Sequence, residues 1–70
     1  MRLDHNTVGP PSPAQSAALV AAIAEVAAAG FTPFAAAAFI SNGYAHVGSV
    51  ETAPNTCGHP AFEASVSVND

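Results

Sequence analysis

Apolar residues recur with two different periods along this chain. From Ser16 to Gly30 a stripe falls at Ser16, Leu19, Ile23, Val26 and Gly30, alternately three and four apart, the repeat of one helix face. From Phe62 the period drops to two. Phe62, Ala64, Val66 and Val68 alternate with Glu63, Ser65 and Ser67, as in a strand with one face buried. Between these segments Phe39-Ile40-Ser41 and Tyr44-Ala45-His46-Val47 flank Asn42-Gly43, the pair that supplies the positive φ angles of a type I′ hairpin turn. That turn sets Ser41 against Tyr44, Ile40 against Ala45 and Phe39 against His46. One sheet face then carries Ala38, Ile40, Ala45 and Val47; the other carries Phe39, Ser41, Tyr44 and His46.

The helix ends are legible too. Ser12 is a capping residue, Pro13 suits the first helical position, and Gln15 can reach back to the Ser12 amide. Gly30 supplies a left-handed stop. The pattern predicts an α+β fold: one N-terminal helix over about residues 13–29, packed on a small antiparallel sheet of about three strands, 36–41, 44–50 and 61–68. Thr32-Pro33 and the alanines at 35–38 allow a competing helix from residue 33, stopped by Asn42-Gly43; the hairpin is the preferred reading. Residues 51–60 read as loop from Pro54-Asn55-Thr56 and Gly58-His59-Pro60. Residues 1–11 read as an extended polar arm ending in Gly9-Pro10-Pro11, and residues 12–70 are expected to form a single small domain.

Composition changes this picture in one respect. Half of the 70 residues are apolar, but alanine dominates them and buries little area. A core this small supplies roughly 3–5 kcal/mol of net stability, so a supplement is expected. Cys57 is the only cysteine, which excludes a disulfide within one chain. Charge is sparse as well. Arg2 is the one basic residue besides the histidines, against five acids, far below the usual surface complement. Opposite the helix stripe lie Ala18, Ala21, Ala22, Ala28 and Ala29, with Glu25 nearly the only charge. A helix apolar almost all round is covered on more than one side. Leu19, Ile23 and Val26 are therefore expected on the sheet, with Ala18, Ala22 and Ala29, together with Phe39 and Tyr44, facing a partner. The sheet edges carry no lysine or internal proline, so edge pairing between copies is expected as well.

The same inventory excludes some partners. One arginine cannot form the cationic patch that nucleic acid or an anionic membrane requires. Residues 17–40 have spanning length but contain Glu25, Gly30, Thr32 and Pro33. No signal peptide is recognised, because Asp4 and three prolines break the required apolar run, so a cytoplasmic or assembly-associated protein is expected.

Candidate chemistry is thin. Cys57-Gly58-His59 puts two metal-ligand types in one loop, with His46 on a preceding strand, short of the three or four rigid ligands a zinc or copper site needs. Read as nucleophile and base, the same residues have no glycine-rich anion hole and no third orienting group nearby in sequence. Glu51 and Glu63 read as solvated loop acids, and His5 lies beside Asp4 in the arm. No phosphate-binding loop or nucleotide fingerprint occurs. No cofactor, metal or catalytic residue is assigned.

The segment Gly9-Pro10-Pro11-Ser12-Pro13-Ala14-Gln15-Ser16-Ala17-Ala18-Leu19-Val20-Ala21-Ala22-Ile23 resembles the start of actinobacterial acyl-CoA carboxylase epsilon subunits, in which a Gly-x-Pro-Thr stretch leads into an alanine-rich helix. The resemblance implies a non-catalytic subunit stabilising a biotin-dependent carboxylase. It covers only these residues, and that family's tryptophan-containing basic tail has no counterpart here. A further reading is the precursor of a modified peptide, with the helix as leader and Thr52, Thr56, Cys57, Ser65 and Ser67 in the modified part. The leading expectation is a small non-catalytic interaction or assembly protein, either homo-oligomeric or an accessory subunit of a larger complex such as an enzyme or a virion shell.

Overall fold

The computed structural model describes residues 11–69, so the arm at residues 1–10 lies outside the described residues. Helix α1 spans Pro13–Ala28, one residue shorter than expected because Ala29 is its cap. At its start the Ser12 hydroxyl accepts from the Gln15 amide at 3.1 Å, and the Ser12 amide donates to Gln15 Oε1 at 2.8 Å. That closed capping box satisfies two otherwise orphaned donors. At its end Gly30 takes φ +91°. The Phe31 amide then reaches the Val26 carbonyl at 3.2 Å and the Gly30 amide reaches Ala27 at 3.0 Å, the paired bonds of a Schellman stop. Phe31 is thereby turned onto the core, where its ring stacks on Phe62 with centroids 5.6 Å apart.

Three antiparallel strands follow in sheet order β1-β2-β3: β1 at Pro33–Ser41, β2 at Tyr44–Ser49 and β3 at Glu63–Ser67. Asn42 and Gly43 have φ of 53° and 80°, and the hairpin register is Ser41↔Tyr44, Ile40↔Ala45, Phe39↔His46, as the turn chemistry required. The expected bounds need correction. β1 starts at Pro33, not 36, and the competing helix from residue 33 does not form. β2 ends one residue before 50, and β3 is shorter than 61–68.

The early start of β1 costs it regularity. Phe34 pairs with Gly48 and Ala38 with Val47, so Ala35, Ala36 and Ala37 bulge out with no residue opposite them. Their helix propensity is overridden because extended pairing on both sides of the bulge buries Ala38 and Ile40. Gly48 makes the bulge possible. A Cβ there would lie 2.9 Å from Pro60 Cγ and 3.1 Å from Ala37 Cβ, closer than side chains pack.

Helix α1 covers one face of the sheet. The core is Ala18, Leu19, Ala22, Val26, Ala38, Ile40, Ala45, Val47 and Ala64, with Phe31, Phe62, Val66 and Val68 packed around it. The largest fully buried side chains are only Val26 and Val47. Small residues let helix and sheet approach closely, and this rotates the helix relative to its expected face. Ala22 is fully buried and Ala18 is 5% exposed, both against this chain's own sheet, so neither is available to a partner. Ile23, expected inside, is 43% exposed. At 100° per residue the buried face is turned roughly 60° from the expected stripe.

Candidate interaction surface

The two edges of the sheet differ in how they present their backbone. The Ser49 amide donates to the Phe62 carbonyl at 2.9 Å and the Val68 amide to the Gly43 carbonyl at 2.8 Å. These bonds fix the parity of the antiparallel ladder. Ala64 and Val66 turn their amides and carbonyls toward β2, while Glu63, Ser65 and Ser67 turn theirs outward. On β1 the same reasoning, taken from the hairpin register, leaves Ala38 and Ile40 facing outward before the bulge and Pro33 beyond it. Proline has no N–H to offer there. The β1 edge thus carries two protective devices, a bulge and a proline, and the β3 edge carries neither within Glu63–Ser67.

Each edge adjoins an apolar groove beneath the helix. Beside β1, a groove of about 270 Å³ is lined by Leu19, Ile23, Pro33, Phe34, Ala35, Ala38 and Val47. Beside β3, one of about 230 Å³ is lined by Ala14, Ala17, Ala18, Ala21, Val66, Ser67 and Asn69. Bulky, partly exposed side chains (Ile23 and Phe34) stand at the first; small ones line the helix side of the second.

Of the residues expected at an interface, Ala29, Phe39 and Tyr44 reach the surface, whereas Ala18 and Ala22 do not. Ala29 is exposed at the helix cap. Phe39 is half-buried and Tyr44 exposed on the sheet face away from the helix. There His46 stacks on Phe39 at 4.8 Å, Tyr44 tilts toward it at 6.4 Å, and His46 Nδ1 lies 2.9 Å from Ser65 Oγ. These contacts fix the imidazole against the Phe39 ring. Ser65 was not expected in this cluster, although strict alternation placed it on the face opposite Val66.

The candidate metal ligands are dispersed. Cys57 and His59 are exposed in the loop after β2, and His46 sits on the sheet. Among the described residues no three His, Cys, Asp or Glu side chains come together. Glu51 has a structural role instead: its carboxylate accepts from the Thr32 amide at 2.9 Å and the Thr32 hydroxyl at 2.8 Å. Those bonds hold its pKa below the ordinary value, the Thr32 amide contributing most. Ser49, 2% exposed, donates to the Glu51 carbonyl at 2.7 Å and accepts from the Phe62 amide at 3.2 Å, tying the end of β2 to the start of β3. Among the described residues no helix is long and apolar enough to cross a membrane.

Among the described residues the geometry is that of a small α+β protein whose β1 edge carries a bulge and a proline and whose β3 edge carries neither. No known protein family, curated protein or solved structure matches the chain.

Proposed function

We propose that this chain acts by binding protein, as a non-catalytic assembly or accessory subunit. The observation that supports this reading is the β3 edge. Glu63, Ser65 and Ser67 present a row of outward amides and carbonyls without bulge, proline or lysine, and an extended protein segment is the chemistry that satisfies such a row. The low number of charged side chains supports it further, since one arginine and five acids fall far short of the charge that ordinarily covers a solvent-exposed surface. The peptide-precursor reading draws less support, because Ser65 and Ser67 lie within a paired strand while only Thr56 and Cys57 sit in an open loop.

Native mass spectrometry of the chain purified from its own source tests the reading. A multiple of the chain mass, or a stable complex with another subunit, is the expected result. An unpartnered chain with a shifted mass or a missing C-terminus would replace it with the precursor reading.

A further inference from the structure

We infer that the segment completing the β3 edge is β3 of a second copy, paired antiparallel about a two-fold axis at Ser65, giving one six-stranded sheet. This rests on the protein-binding reading above and names its partner.

Three observations fit that register. First, ladder parity permits it: Ser65 faces outward, so Ser65 opposite Ser65 forms a bonded pair, and Glu63 opposite the second copy's Ser67 forms another on each side. Second, the side chains agree. Ala64 falls opposite Val66 on the helix-covered face, while Glu63 meets a serine rather than another carboxylate. Third, the helices fit. α1 rests more on β2 and β3 than on β1, so its axis lies inside the β3 edge. With strands about 4.8 Å apart and each helix centred between β2 and β3, the two helices lie on one face roughly 10–14 Å apart, so both fit over the joined sheet without a clash.

The flank meeting the partner helix is that of Ala14, Ala17 and Ala21, small enough for close approach and already bordering the β3 groove. The helix starts near Ser67 and Asn69 and ends near Phe62, so it runs antiparallel to β3. The two-fold therefore sets the helices antiparallel, with Glu25 on the same flank. The β1 edge cannot do the same, because its bulge interrupts the ladder.

Sedimentation equilibrium of the full chain across a concentration series gives the test. The expected species is twice the 6.9 kDa chain mass. Ser65→Pro removes an outward N–H without breaking a bond to β2, and should raise the dimer dissociation constant on the order of 50-fold. Ser65→Ala keeps the backbone donor and should move it less than about fivefold. Ala21→Glu, on an exposed helix position, should also weaken the dimer while leaving the circular dichroism spectrum unchanged. If Ser65→Pro does not fold, Ala21→Glu and wild-type amide exchange decide, with Ser65 protection rising with concentration. A dimer broken by Ile23→Glu but untouched by Ser65→Pro and Ala21→Glu would overturn the β3 pairing and leave the protein-binding reading standing. So would a monomer that occurs in its source bound to a different subunit. A monomer bound to nothing in its source would remove both.

Discussion

The β1 and β3 edges flank the same central strand, under the same helix, yet among the described residues one ladder is interrupted and the other continuous. β1 is the longer strand and the more apolar, and on length alone it would be the more adhesive. Its regular ladder is cut short because Ala35–Ala37 have no partners and Pro33 has no N–H. β3 has only five residues, but each outward position keeps both backbone groups. The difference teaches that an edge's capacity to pair depends on continuity of its ladder as well as on length and hydrophobicity.

The largest expected effect comes from attacking the bulge. Gly48→Val would drive a branched side chain into Pro60 and Ala37, costing about 2–3 kcal/mol of stability in urea unfolding. An unaffected midpoint would mean that the bulge is not pinned by Gly48, and the contrast between the edges would lose its cause. Ser49→Ala comes next. It strips the Phe62 amide and the Glu51 carbonyl of a buried partner at the start of β3, for about 1–2 kcal/mol. Amide exchange should show the loss concentrated at β3, with the β1 hairpin less affected.

The smallest effect is a pH dependence at the start of β1. Glu51 has a lowered folded pKa because the Thr32 donors favour its charged form. A lowered carboxylate pKa gives stability that is present above the unfolded value, near 4.5, and lost as pH falls through the folded one. Acidification below that range should loosen the Thr32–Glu51 tie, and Glu51→Gln should flatten this part of the pH profile. Equal acid sensitivity in Glu51→Gln would assign the effect to another carboxylate.

Local chemistry made much of this fold legible. Ser12, Pro13 and Gln15 marked the helix start, Gly30 its stop, Asn42-Gly43 the hairpin and its register, and residues 62–68 the last strand. Each signal works through a few neighbouring residues, so the chain alone carried it. The helix face was harder to place. Leu19 and Val26 belong to both the expected and the observed face, but size ranked Ile23 above Ala18 and Ala22. The sheet preferred the alanines because its own surface, Ala45, Val47 and Ala64, lets a helix come close only where the helix is small. Ala18 and Ala22, expected at an interface, are buried against this chain's own sheet for the same reason.

The sequence by itself thus determined the helix ends, the last strand and the shortage of charge, and it favoured the hairpin with its register over a helix from residue 33, because caps, turns and alternation are short-range properties. Tertiary structure alone decided that Pro33–Ser41 is strand, which helix face is buried, that the alanines at 35–37 leave the ladder, and which edge keeps a continuous ladder. Those outcomes depend on contacts between residues far apart in the chain (Gly48 with Ala37 and Pro60, Ser49 with Phe62), and no local pattern records the space available where they meet.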